Sequence, residues 1–259
     1  MSKPDCCIFI CSSDNTYDVF SALDHNRQKS LPYEDFDIFV GLNEKVATAP
    51  YKTVSSIPTG WRGELLNQIQ SLPASFTRII LILDDFYFWR KISSNQFDES
   101  VSLANKLDAD YLRLVPLESS FLVGWVRRVL RPGDDEAVRI KEYEPYYSSL
   151  QIAVWRRTHL ERLLGLDGSI WDFEHHVTSK SRHFAVQREI IHYQHVVEKG
   201  RWLPVALNEA VGIAKEDIQP RGLHNYKFYT SPKISKLKFK IFGYAVFRIR
   251  KILKRWLGR

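Results

Sequence analysis

The most regular feature of the chain is a series of short apolar runs, each of which stops at polar residues. "CCIFIC" (residues 6–11) runs into Ser12-Ser13-Asp14, "DFDIFVG" (35–41) into Leu42-Asn43-Glu44, and "RIILIL" (78–83) into Asp84-Asp85. Runs this continuous, separated by helix-length stretches, predict strands buried on both faces of a mostly parallel sheet. In open α/β sheets the ligand crevice lies beyond the carboxyl ends of the strands. The three polar ends are therefore expected to converge on one site.

Between and after these runs the pattern changes period. Arg62 to Leu72 places Leu65, Leu66, Ile69 and Leu72 on one helical face, closed by Pro73. "ESVSLANKLD" reads as a further helix, and "ADYLRLVP" and "LQIAVW" as strands. Thr158 to Glu161 has the form of a capping box opening a helix that ends at Gly165, and Ser169 is placed to cap another through "IWDFEHH". The β-branched and aromatic content of Phe184 to Pro204 favours strand. The chain shows no internal repeat and no linker before about residue 220, which predicts a body over 1–220 and an appendage over 221–259.

Charge sharpens that division. The net charge is +7, yet from Lys233 onward there are ten Lys and Arg and no acids, which leaves 27 bases against 30 acids in residues 1–232. A mildly acidic body with a separable cationic end argues against a nucleic-acid enzyme. From Phe242 the apolar Ala245, Val246, Ile249, Ile252, Leu253, Trp256 and Leu257 alternate with Arg248, Arg250, Lys251, Lys254 and Arg255 at helical spacing. That is the pattern of a basic amphipathic helix, and residues 233–259 are expected to dock on an anionic membrane surface. No apolar run reaches the ~20 residues of a spanning helix, and the first residues lack a signal-peptide layout, so the expected location is cytoplasmic, peripheral on the inner face of the cell membrane. Cys6, Cys7 and Cys11 read as buried reduced thiols.

The chemistry-bearing residues follow from the strand ends. Adjacent carboxylates such as Asp84 and Asp85 repel one another, so a bound cation or ligand is expected to stabilise them; Mg²⁺ or Mn²⁺ carrying a nucleotide diphosphate suits hard oxygen donors. Asp85 is the expected metal ligand. Arg156 and Arg157 are candidates for neutralising a phosphate. In "WDFE", Asp172 and Glu174 stand where a helix begins and Trp171 offers an aromatic face. His192 and His195, three apart, suit a metal only on a helix and are read as ordinary side chains. The chain has no G-x-G-x-x-G, no G-x-x-x-x-G-K-[ST] and no G-x-S-x-G, so dehydrogenase, P-loop and serine-hydrolase assignments lose their support.

A first strand ending in small polar residues, Trp61 with Glu64, a strand ending in Asp84-Asp85, and "SLQIAVWRR" followed by "WDFE" together resemble bacterial glycosyltransferases of the GT-A fold that build surface polysaccharides. The resemblance spans roughly residues 5–204. The usual Asp-any-Asp metal motif of that fold is here Leu83-Asp84-Asp85, lacking its first acid. The resemblance implies a GT-A-like α/β domain that moves a sugar from a nucleotide-diphosphate donor, UDP-linked, to a lipid-linked saccharide acceptor, with inversion. It places Ser12, Asp14 and Trp61 at the nucleotide, Asp84 and Asp85 at ribose, diphosphate and metal, Glu174 or Asp172 as the base, and His224 as a late metal ligand. A metal-dependent nucleotidyltransferase and a non-catalytic membrane-associated scaffold are the alternatives.

Overall fold

The computed structural model describes residues 5–117, 136–142, 147–175, 181–209 and 211–224, the side chains of Trp171 and His175 excepted. Met1–Pro116 with Glu136–His224 form one compact unit, and Leu117–Asp135 with Asn225–Arg259 a second. Apart from Leu117 the second unit, and with it the basic amphipathic tail, lies outside the described residues.

The apolar runs become the strands that the pattern predicts. β1 (Cys6–Cys11), β2 (Ile38–Leu42) and β4 (Arg78–Leu83) are buried almost end to end, because both faces of the sheet are covered. With β3 (Lys52–Ser55), β6 (Tyr111–Arg113), β7 (Ala137–Arg139), β8 (Ala153–Arg156) and β9 (His183–Val186) they form one sheet in the order β3-β2-β1-β4-β8-β6-β9-β7. The β1–β4 strands are mutually parallel, β8 runs against β4 and β6, and β7 against β9, so the sheet is mostly parallel with two reversed members. A two-stranded ladder of β5 (Phe86–Phe88) and β10 (Tyr193–His195) continues past the end of β4. The strand reading of 184–204 holds, with β11 (Val197–Glu198) and β12 (Arg201–Trp202) completing it.

Alternate strand residues point to opposite faces. Ile8, Ile10, Ile80 and Ile82 share a core with Phe20 of α1 (Tyr17–Ala22) and with Phe97, Val101 and Ala104 of α4 (Ser94–Lys106). Trp155 turns the other way, against His159 and Phe173. That second face carries α3 (Trp61–Gln70), α5 (Arg157–Leu164) and α6 (Ile170–His175).

Helices α3 and α5 are joined by reciprocal arginines. Arg62, in the first turn of α3, donates to the carbonyl of Leu163 in the last turn of α5 and to that of Asp167 just beyond it. Arg157, the first residue of α5, donates to Gln70, Leu72 and Pro73 at the end of α3, and to Glu161 at 2.9 Å. Each cation satisfies carbonyls that a helix end leaves open and lies at the negative pole of its neighbour. This corrects the phosphate reading of Arg156 and Arg157: Arg157 is a helix cap, and Arg156 is ion-paired with Asp108 and Asp110 at the end of the sheet opposite the polar strand ends. The capping box at Thr158 does not form either. β8 runs directly into α5 with Arg156 in the capping position, the Arg157 N–H goes to the Thr77 carbonyl at 3.0 Å, and Glu161 is already taken. Ser169 does cap α6, its hydroxyl accepting the Asp172 N–H at 3.3 Å.

Beneath α5 a chain of polar groups has one proton arrangement. Arg162 Nη2 is 2.9 Å from His159 Nδ1, His159 Nε2 is 2.8 Å from His183 Nε2, and His183 Nδ1 is 2.9 Å from the Tyr147 carbonyl. Arginine only donates and a carbonyl only accepts, so His159 carries its proton on Nε2 and His183 on Nδ1. Both rings are neutral, and burial above all, with the charge of Arg162, holds their pKa below the ordinary 6.5. A basic group such as histidine, whose neutral form is favoured in the folded state, stabilises fully above its unfolded pKa and loses that contribution as pH falls through and below it. Urea unfolding from about pH 7.5 to about pH 4.5 is therefore expected to show a steeper loss of stability for the wild type than for a His159→Gln/His183→Gln variant. Parallel losses in the two proteins would contradict the neutral relay.

Candidate active site

The chain builds β1, β2 and β3 outward in one direction and then returns to place β4 on the other side of β1. The ends of β1 and β4 therefore mark the topological switch point, where open α/β sheets form their crevice. At that point Ser12 Oγ donates to Asp84 Oδ2 at 2.7 Å, and the Asp84 N–H donates to the Cys11 carbonyl at 3.2 Å. The end of β2 joins them through Asp14, whose carboxylate accepts the N–H groups of Asn43, Glu44 and Lys45 at 2.9, 3.0 and 3.2 Å. All three polar ends meet, as their pattern predicts. Asp14 spends its oxygens on fastening the 43–45 loop, and Asn43 extends the network to Glu64 at 3.0 Å. Trp61 opens α3 beside Cys11 and packs edge-on against Phe173 at 5.5 Å. Burial, with the charge of Asp84, pushes the Cys11 thiol up to about 12.

The two adjacent acids have different surroundings. Asp84 is pushed up to about 6 by burial, tempered by hydroxyls of Thr16 and Ser12, raised further by Asp85, and lowered by the Arg27 guanidinium behind it. Asp85 turns to the β5/β10 ladder: its carbonyl accepts the Val196 N–H at 3.1 Å and its Oδ2 lies 2.9 Å from His195 Nδ1. The other oxygen, Oδ1, is buried without a hydrogen-bond partner. The pairing of His195 with Phe86 in the ladder is what delivers the imidazole, whose ring also meets the Phe86 ring edge-on at 4.7 Å. Burial lowers the His195 pKa, but the charge and hydrogen bond of Asp85 and the charge of Glu174 outweigh it and hold it above 6.5.

The two acids of "WDFE" also separate. Glu174 points inward: its Oε1 accepts the Leu150 N–H at 3.1 Å and its carbonyl accepts the Ser148 N–H at 3.3 Å. Burial raises its pKa, opposed by the Leu150 N–H and by the charges of Arg113 and His195. Asp172 is exposed, and its Oδ2 accepts both the N–H and the hydroxyl of Ser169 at 2.7 Å, the work of a cap. The Trp171 side chain lies outside what is described.

Three cations near these acids escape a reading by spacing. Arg27 on α2 (Asp24–Ser30) is fully buried, Arg113 is 4% exposed at the end of β6, and Arg221 pairs with Asp18 while lying in the field of Asp84. Toward a divalent cation the described residues offer Asp85 Oδ1, while no group of three His, Cys, Asp or Glu side chains converges among them. That suits an ion shared with a ligand's phosphates better than a closed protein cage. His224 sits on the pairing with β12, its N–H donating to the Trp202 carbonyl at 2.8 Å, and forms no such group with Asp85 among the described residues.

No family model matches the chain, and no curated protein matches it. Among solved structures, S. aureus TarS 1-349 in complex with UDP-GlcNAc is similar with a TM-score of 0.46 and 9% identity, over 76% of this chain and 60% of that one. The mannosyltransferase PcManGT from Pyrobaculum calidifontis, in complex with GDP-Man and Mn2+, gives 0.45 and 11% over 77% and 59%. A cytidylyltransferase from Leptospira borgpetersenii gives 0.37 and 11% over 66% and 68%. The chain spans 37% to 60% of the TarS chains it matches first.

The Asp85–His195 contact has a direct spectroscopic consequence. In an NMR titration His195 is expected to titrate above the ordinary histidine value, and Asp85→Asn to bring it below, since burial then acts with less opposition. An unchanged His195 pKa in that variant would contradict the pairing.

Proposed function

We propose that the chain is a glycosyltransferase of GT-A type that moves a sugar from a nucleotide-diphosphate donor, UDP-linked, to a saccharide on a lipid carrier in surface polysaccharide synthesis. The observation that carries this reading is the Ser12–Asp84 hydrogen bond at the β1/β4 switch point, from which Asp85, His195 and Glu174 extend toward α6. In this reading the nucleotide lies across the ends of β1 and β2. Asp85 Oδ1, with the donor phosphates, would hold Mg²⁺ or Mn²⁺, which when bound supplies positive charge to the departing diphosphate. His195 holds the Asp85 carboxylate by its Nδ1–H through Oδ2, leaving the buried Oδ1 without a hydrogen bond.

Glu174 is the proposed base. A carboxylate whose pKa is raised by burial is a better acceptor for the proton of a sugar hydroxyl, and the Leu150 N–H fixes its orientation. Displacement at the anomeric carbon then forms the new glycosidic bond, breaks the bond to the diphosphate, and leaves the hydroxyl proton on Glu174. Asp172 serves the helix instead. Calorimetry is expected to show UDP binding that Ser12→Ala and Asp85→Asn weaken. Glu174→Gln is expected to cut UDP release from a nucleotide sugar by about 100-fold or more with UDP affinity kept, while Asp172→Asn leaves turnover near wild type. No nucleotide binding with or without Mn²⁺, or equal losses in the two acid variants, would overturn the reading.

The basic tail supports a peripheral place on the inner face of the cell membrane, where a lipid-linked acceptor is confined to the same surface. Flotation with anionic liposomes is expected for the full chain and lost on truncation after Pro232. Equal flotation would refute membrane docking by the tail.

A further inference from the structure

Helix α2 touches the acid-bearing segment at both ends. Arg27 Nη1 donates to the Asp84 carbonyl at 3.0 Å, and Asn26 pairs with the backbone of Phe88, its Nδ2 donating to the carbonyl at 2.9 Å and its Oδ1 accepting the N–H at 2.8 Å. Farther along, the Ile92 N–H donates to the Ser30 carbonyl at 2.8 Å. Arg27 is 0% exposed, donates also to the Phe20 carbonyl, and has its guanidinium carbon 4.3 Å over the Phe20 ring. Its pKa is lowered by burial, against the fields of Tyr51, Asp84 and Asp24, and its Nε has no hydrogen-bond partner.

A wholly buried guanidinium is costly unless opposite charge and acceptors surround it. Here the acceptors are two carbonyls and a ring face, none of which balances a full charge, and the carboxylates whose fields reach it are Asp84, in the site, and Asp24 on its own helix. Removing Asp84 would take away one of the carboxylates that offset the cation, and removing Arg27 would leave Asp84 without the cation behind it.

We infer that Arg27 is a positioning residue: a permanent internal counter-cation for the Asp84–Asp85 turn which, with Asn26, holds the segment so that Asp84 is tied back into the protein and Asp85 is the acid presented to a ligand. Its consequence for nucleotide binding rests on the function proposed above, whereas the charge pairing does not.

A double-mutant cycle tests the pairing. Arg27→Met is expected to lower the urea midpoint, and adding Asp84→Asn to recover a substantial part of that loss, because the second change removes the uncompensated acid. A loss of packing alone gives additive effects, and additivity would overturn the inference. Should Arg27→Met fail to fold, folding of Arg27→Met/Asp84→Asn supports the pairing, and failure of both counts against it. Arg27→Lys keeps the charge and loses the two-pronged donation. With the fold intact, it is expected to weaken UDP binding about tenfold, the equivalent of one misplaced hydrogen bond to a charged group. Unchanged UDP affinity in a folded Arg27→Lys contradicts the positioning role. Wild type that binds no UDP at all refutes the nucleotide reading and leaves the stability cycle to decide the pairing.

Discussion

Two carboxylates side by side at the end of a buried strand are an electrostatic problem that the rest of the fold is arranged to solve. Each acid takes a different partner: Asp84 is tied back to Ser12 with Arg27 behind it, and Asp85 is held by His195. Like charges at this spacing are tolerated only with compensation, and compensation from two sides makes the pair asymmetric. One acid becomes part of the scaffold and the other keeps a buried oxygen without a partner. The opposed surroundings of two neighbouring acids are a common mark of a working site.

The topology determines which partners are at hand. Because β4 returns beside β1 after β2 and β3 have been laid down, the turn after each central strand opens at one edge of the sheet. The β5/β10 ladder then brings His195 over the same edge, and α6 brings Glu174. Rigidity comes from the sheet face that carries α3 and α5, where Arg62 and Arg157 each close the other helix. Those arginines work by saturating backbone carbonyls, so they carry no burden in the site and leave its charges undisturbed.

Much of this arrangement is legible along the chain because it is local. Three apolar runs with polar ends, the α3 and α4 helices and the Ser169 cap all follow from spacing alone, and so does the meeting of Ser12, Asp14 and Asp84. The residues that give the site its charges are not local. His195 is 110 positions from Asp85 and Arg27 is 57 from Asp84, and no periodicity encodes such distances. The alternation around Tyr193 predicts a strand but not its partner. Similarly, Asp172 and Glu174 are indistinguishable in "WDFE"; only the Leu150 N–H on one and Ser169 on the other separate the inward acid from the helix cap. Arg156 and Arg157 mislead for the same reason, since a cation's partner decides whether it binds phosphate or closes a helix.

The decisive question is whether the Asp84–Asp85 turn faces a nucleotide. A crystal structure of the full chain with UDP and Mn²⁺ tests that most directly. The diphosphate is expected at the junction of β1 and β4, against Ser12 and Asp85 Oδ1, with Arg27 still on the Asp84 carbonyl behind it. Nucleotide bound away from that junction, with Asp85 Oδ1 untouched by phosphate or ion, would contradict it.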